Sequence, residues 1–337
     1  EPADVVRNLA AVQSQDYNGA KWALGLRLKS ATDEALDRSF NEGRLVRTHI
    51  LRPTWHFVAP EDLRWMLQLS APRVHAANAF MYRKLEVDRA SLRKSYRVLE
   101  SALSGGKYLT RNELGSAFEQ AGLVATGPRL AYFIMSAELD GIVCSGPRRG
   151  KQFTYALLEE RVPNTTPLER DEALAEITRR YFATRGPATL NDFTWWSGLT
   201  MADAKQGIEM VKSHFKQEEV DGNSFWFDDS ISPVREPSPT AHLLPNYDEY
   251  FIGFKDRSAI GKLITPWRPG ESGVSLPVHV IILDGQIIGG WKRNIKKNAV
   301  VIELTLLTEL TKRQSTAVMQ AAERYGDFMG VAVEVVR

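Results

Sequence analysis

Apolar residues recur at near-helical spacing over Val5, Val6, Leu9, Ala10 and Val12, which predicts a helix from Pro2 to about Val12 with one buried face. The polar run Gln13-Ser14-Gln15-Asp16 follows, and Asp16-Tyr17-Asn18-Gly19 carries turn chemistry because Asn-Gly tolerates positive φ. From there a weak repeat emerges, helices and then a short β-hairpin, three times over. In the first unit Thr32 caps a helix with apolar Ala35, Leu36 and Phe40 that ends near Gly43. Leu45–Ile50 and Thr54–Val58 then predict two strands around Arg52-Pro53, followed by helices from about Pro60 to Ser104.

The second unit has the clearest punctuation. Thr110 precedes Glu113 at capping-box spacing, and Pro128 opens a second helix that stops at Asp140-Gly141. Ile142–Cys144 and Gln152–Leu157 predict strands on either side of the basic turn Gly146-Pro147-Arg148-Arg149-Gly150-Lys151. Helix, turn, helix and a hairpin with a basic tip describe a winged helix-turn-helix. The third unit repeats the order: helices over Asp171–Thr184, from Leu190, and over Met201–Lys212, then a hairpin over Val220–Phe227 with Asp-Gly as its turn signal. After the Pro-rich link Ser232–Pro239 the pattern becomes β, with strands over Val278–Leu283, Gln286–Arg293 and Ala299–Leu304. A helix over Thr311–Tyr325 and a strand over Val331–Val336 complete a small twisted sheet or part-closed barrel. The expected fold class is α+β: tandem winged helix-turn-helix units followed by a β-rich, barrel-like C-terminal domain. The expected boundaries are 1–90, 91–162, 163–235 and 236–337.

Composition narrows the field. A chain of 337 residues predicts two to four modules, and 43% hydrophobic with 25% charged residues is ordinary for a globular protein. Net charge is +2 against 43 basic residues, so any nucleic-acid surface must come from local clustering. The single cysteine, Cys144, excludes a disulfide framework or a cysteine-rich zinc site, fits a reducing compartment, and leads to a cytoplasmic expectation. No apolar run approaches a membrane span and no signal peptide is visible. Glu1 opens the chain in mid-helix without a methionine, which suggests a truncated or processed N-terminus.

Gln13 and Gln15 are two residues apart, a spacing that points to nearly opposite sides of a helix but to one side of an extended segment. With a helix ending near Gln13, both amides can face one site and hold a water between them, since each carries a donor and an acceptor. From these residues alone, a polar, solvated helix end is the simpler account. Other constellations fall away. The six histidines lack metal-ligand spacing, Ser104-Gly105-Gly106-Lys107 lacks phosphate-loop spacing, and no Gly-x-Ser-x-Gly is present. His56, beside Trp55 in a strand, suits a structural role at least as well as a DNA contact.

Together these segments resemble the AlkZ-type winged-helix DNA glycosylases over nearly the whole chain. The resemblance is carried by Gln13-Ser14-Gln15, Arg52-Pro53-Thr54-Trp55-His56-Phe57-Val58, Leu243-Leu244-Pro245-Asn246-Tyr247-Asp248-Glu249-Tyr250 and Gly289-Gly290-Trp291-Lys292-Arg293. It implies excision of N7-alkylated purines, including bulky adducts and interstrand crosslinks left by genotoxic natural products, in DNA repair or self-resistance. It also implies catalysis by a Gln-x-Gln or Gln-x-Asp motif, hence by Gln13 and Gln15. The middle residue is usually aliphatic in that family, and here it is Ser14.

N7 alkylation makes the purine cationic, so it departs neutral without a strong general acid. What remains is to stabilise an oxocarbenium-like sugar and to deliver water to C1′. Asp16, Asp248 and Glu249 are candidates to supply negative charge, although each suits a cap or rim salt bridge better. The motif holds no lysine, so hydrolysis without a Schiff base is expected; Lys21 is the nearest amine. Candidate DNA contacts are Arg52, Thr54 and His56, the wing residues Arg148, Arg149 and Lys151, and Lys292, Arg293, Lys296 and Lys297 around Ile295. Family members use a hairpin of the last domain at the lesion. The expectation is a monomeric enzyme acting on double-stranded DNA, with no cofactor, metal or membrane. The competing class is a multi-winged-helix transcription regulator in which the two glutamines are incidental, and fold alone does not separate the two.

Overall fold

The computed structural model describes residues 1–162, 167–230, 238–263 and 279–336. Along the chain, α1 (Pro2–Leu9) leads to β1 (Val12–Gln13), α2 (Tyr17–Gly25), α3 (Asp33–Asn41), β2 (Val46–Ile50) and β3 (Arg52–Val58). Next come α4 (Pro60–Lys84), α5 (Arg89–Leu103), β4 (Leu109–Thr110), α6 (Arg111–Gln120), α7 (Gly127–Leu139), β5 (Val143–Ser145), β6 (Thr154–Leu157) and α8 (Leu158–Arg161). Then follow α9 (Arg170–Arg185), α10 (Leu190–Ser197), α11 (Met201–Val211), β7 (Lys216–Val220) and β8 (Asn223–Phe227). The last part holds β9 (Ala241–Leu244), α12 (Glu249–Ile252), β10 (His279–Leu283), β11 (Gln286–Ile295), β12 (Ala299–Leu306), α13 (Lys312–Met329) and β13 (Ala332–Val336). These form two compact units. One comprises 1–15 and 38–228, the other 16–37 and 229–337.

In the first unit the opening helix is shorter than its apolar pattern predicts. Ala10 adopts φ 63 and ends α1. The carbonyls left at the helix end are claimed by cations from α9: Arg185 donates to Leu9 O at 3.1 Å and Arg180 to Arg7 O at 3.0 Å. The chain beyond is therefore extended, and β1 pairs antiparallel with β3 in a sheet of order β1-β3-β2. The turn between β2 and β3 centres on Leu51, at φ 63, so Arg52-Pro53 begins a strand rather than forming the turn.

The second helical group has a short strand that periodicity misses. β4 pairs with β6 at the edge of a sheet of order β4-β6-β5. Thr110 forms the expected capping box with Glu113, and Leu99, Leu103, Leu114, Phe118, Phe133 and Val143 fill the core of this group. In the third group, Tyr181 meets Phe182, Phe193 and Trp196 at ring separations of 5.1–5.2 Å, and all four rings are fully buried. The β7–β8 hairpin has its turn at Asp221-Gly222, with its first strand starting earlier than predicted.

The second unit is built on a five-stranded sheet of order β13-β12-β11-β10-β9. Its pairs are antiparallel except β12 with β13, which α13 connects as a crossover. The expected β-rich C-terminal domain is present as a curled sheet, with β9 and β13 as its edges among the described residues. Trp22 of α2 donates to Leu243 O at 2.7 Å and Trp291 of β11 to Leu244 O at 2.8 Å. Both indoles pack edge-on to Tyr325 of α13, at 5.1 and 5.2 Å. The Pro-rich link predicted over 232–239 lies, up to residue 237, outside the described residues, as does Val278.

Candidate active site

Gln13 and Ser14 occupy an extended edge segment, not a helix end, and the chain bends at Gln15. Gln13 lies opposite His56 of β3, and His56 opposite Thr48 of β2, so the three form one row across the sheet. The ladder continues one residue further, with Ser14 N donating to Trp55 O at 2.7 Å. Ser14 is fully buried; its carbonyl accepts from Arg47 Nε at 3.1 Å, and its hydroxyl has no hydrogen-bond partner among the described residues. Gln13 is 6% exposed, whereas Gln15 is open to solvent. Gln13 Oε1 accepts from Arg52 Nη2 at 2.8 Å.

His56 is fully buried, so its ring offers no surface for a DNA contact in this conformation. Its Nδ1 lies 3.0 Å from Thr54 O. A carbonyl only accepts, so Nδ1 carries the proton and Nε2 is the lone-pair nitrogen of a neutral ring. Burial, followed by the charge of Arg52, holds this imidazole well below the usual histidine range. Thr54 is half-buried, with its hydroxyl enclosed and without a partner. On the two flanking rows, Arg47 stacks its guanidinium 4.3 Å from Trp55 and 4.5 Å from Phe153, and His49 pairs with buried Glu138.

The expected carboxylates belong to the second unit. Asp16 caps α2, accepting from Gly19 N at 3.1 Å, so Asp16-Tyr17-Asn18-Gly19 begins a helix where its composition suggests a turn. Gly19 is there for space: a Cβ would fall 2.7 Å from Asp16 Oδ2. Arg293 Nη2 lies 3.5 Å from the same oxygen. Asp248 is fully buried, caps α12 and takes both arms of Arg27 at 2.8 and 2.9 Å. Glu249 is 2% exposed. Lys21 is equally enclosed, its ammonium 2.7 Å from Asp33 and 3.0 Å from Asp37.

The basic tips divide into engaged and open cations. In the β5–β6 turn, Arg149 donates to Glu113 Oε1 and Tyr108 O, each at 2.7 Å, and Arg148 is half-buried over Phe153. Backbone donors at the α6 cap, then Arg149, lower the Glu113 carboxyl to about 2. Lys151 is exposed. In the β11–β12 hairpin, Lys292 and Lys297 are exposed, Lys296 pairs with Glu334 at 3.2 Å, and Ile295 is 51% exposed beside them. Arg293 instead turns inward towards Trp291 and Tyr325. Among the described residues no group of three His, Cys, Asp or Glu side chains forms a metal site, and no helix is long and apolar enough to cross a membrane.

The sequence profile of the DNA glycosylase AlkZ-like family matches residues 6–328. The chain belongs to that family. It is similar to the interstrand DNA cross-link repair glycosylase of Streptomyces sahachiroi, 24% identical over 311 residues that span 86% of this chain and 81% of the relative. Its fold matches the solved structure of Streptomyces sahachiroi DNA glycosylase AlkZ with a TM-score of 0.78 at 21% identity, covering 99% of this chain and 93% of that one.

Within this AlkZ-like chain, Arg27 and Arg47 are the residues that sequence reasoning passed over. Arg27 meets its carboxylate 221 residues away. Arg47 does carry a local signal, since alternation in β2 places it on the same face as His49, the residue opposite Trp55.

Proposed function

We propose that this AlkZ-like protein is a DNA glycosylase that hydrolyses the N-glycosidic bond of N7-alkylated purines, interstrand crosslinks among them, in repair or self-resistance. The observation that carries the reading is the extended path of β1 through Ser14. Gln13 ends β1 and Gln15 follows two residues on at a solvent-open bend, so the two amides stand at one end of the strand. Because the alkylated base leaves uncharged, an amide dipole suffices to orient water towards C1′. The crosslink substrate rests on the name of the Streptomyces relative. The α5–β6 segment, with its three-stranded sheet and basic turn, supports a winged-helix reading of this part, and the protein acts on duplex DNA as a monomer.

The reaction needs no amine. Lys21 is engaged by two carboxylates and shielded from solvent, so a monofunctional hydrolase leaves no borohydride-trapped complex with DNA. The decisive experiment is free-base release from crosslinked, bulky mono-adducted and N7-methylated duplexes. Release by the parent, lost in the Gln13→Ala/Gln15→Ala protein, supports the reading. Duplex binding without release of any base makes the protein a DNA-binding regulator instead.

A further inference from the structure

We propose that Arg52 is a positioning residue that divides the work of the two glutamines: by anchoring the Gln13 carbonyl it commits Gln13 to hydrogen-bond donation and leaves water orientation to Gln15. The inference rests on the glycosylase reading and deepens it. Arginine has donors and no acceptor, so the Gln13 atom 2.8 Å from Arg52 Nη2 is the carbonyl oxygen by chemistry alone. A carboxamide is planar. Anchoring its oxygen therefore fixes the NH2 group on the opposite end, facing away from Arg52. A cation on the carbonyl also polarises the amide and strengthens its N–H donors. A nucleophilic water needs the reverse partner, an acceptor that takes one of its protons while its lone pair faces carbon. Solvent-exposed Gln15 retains that capacity.

The backbone shows why Arg52 is a firm anchor. Leu51 holds the left-handed turn at φ 63, and the register shifts between His49 and Ile50 just before it. Behind the turn lies Gly198 at φ 71, where a Cβ would come within 2.4 Å of Leu51 O and 3.4 Å of Arg52 Cγ. On the other side the strand continues into buried His56, a neutral ring that places no second positive charge beside the guanidinium. Arg52 is thus built into the sheet as a fixed donor, whereas a phosphate contact suits a long, mobile side chain.

The test uses the full chain and a duplex bearing one N7-methylguanine, measured under single turnover at saturating enzyme. Arg52→Ala is expected to lower the rate about 10- to 100-fold, with the slope of log Kd against log salt unchanged and part of the rate restored by low-millimolar guanidinium. Gln13→Glu, which keeps the partner of Arg52 but loses the NH2 donors, is expected to lose at least about tenfold more rate than Gln15→Glu. Full rate in Arg52→Ala with a shallower salt slope overturns the proposal and makes Arg52 a phosphate contact. Should Arg52→Ala fail to fold, the two glutamate variants decide, and equal losses overturn the division of roles. A parent protein that releases no base overturns the glycosylase reading itself, a result distinct from either.

Discussion

Arg27 holds Asp248 with two parallel hydrogen bonds, 2.8 and 2.9 Å long, across 221 residues of sequence. Burial works against the guanidinium's charge, but Asp248 outweighs it and raises the arginine above its ordinary range. A carboxylate so fully engaged has no charge left to lend a sugar cation. Asp248→Asn is expected to lower stability by about 2 kcal/mol, because it leaves half-buried Arg27 without its carboxylate, while base release by the folded fraction continues. Loss of rate at temperatures where circular dichroism shows the variant folded would return Asp248 to the chemistry.

The β5–β6 turn would grip phosphate more weakly than its three cations imply. Arg149 is bound to the α6 cap through Glu113 and Tyr108 O, so only Lys151 stands fully open. Lys151→Ala is expected to weaken binding equally for damaged and undamaged duplex and to reduce the salt slope by about one. Arg149→Ala should change that slope less. A larger change from Arg149 in salt titrations would mean that it leaves Glu113 when DNA arrives.

The β11–β12 hairpin presents exposed Ile295 next to Lys296 and Lys297. An apolar residue at a basic tip can wedge against stacked bases from the minor groove, the side a bulky N7 adduct leaves open. Shortening Asn294–Asn298 to a Gly-Asn turn is expected to cut excision of bulky adducts by about tenfold or more while the melting temperature holds. A shortened protein that excises as well as the parent removes the hairpin from lesion recognition.

Acid stability should follow two histidines. His279 accepts from Asn246 N at 2.7 Å and stacks on Trp291; burial, then Arg293, lowers it from 6.5 to about 4. The unfolded chain takes up a proton as pH falls through 6.5, and the folded protein does so only near 4. Stability is therefore intact above pH 6.5 and declines towards about pH 4, below which the loss from this group is complete. His56, displaced the same way, adds to the decline. His279→Asn keeps an acceptor for Asn246 and should reduce the proton uptake on unfolding over this range by about one. Urea midpoints measured from pH 4 to 7 check it, and an unchanged pH slope sinks the assignment.

Local rules carried far where the signal was local. Thr110 with Glu113, Thr32 before α3 and the Asp221-Gly222 turn lie where capping and turn chemistry place them. The glutamine segment was misjudged by periodicity, because Ala10 breaks the helix through a positive φ that its side chain does not announce. Arginines 173 and 176 residues away in sequence then satisfy the helix end. Asp16-Tyr17-Asn18-Gly19 was ambiguous for a physical reason: aspartate before glycine serves an N-cap as well as a turn. β4, β9 and α12 are two to four residues long, too short for any period to register. The engagement of Arg149 and Asp248 rests on partners far along the chain, and no charge count reveals it.

The path of the backbone also has a consequence for dissection. The chain leaves the first unit after Gln15, re-enters it at Arg38 and leaves again after Asp228. No single cut therefore separates the two. A fragment ending at Asp228 keeps α2 but loses Leu243 O, the acceptor for the 3%-exposed indole of Trp22, together with the Tyr325 and Phe328 rings packed on it. The complementary fragment has the sheet without the tryptophan. Stand-alone expression of either piece would yield a sticky, incompletely folded product, whereas co-expression of both pieces offers each its missing partner. An exchange of the β-rich part between relatives must carry the stretch from Asp16 to Asp37 with it.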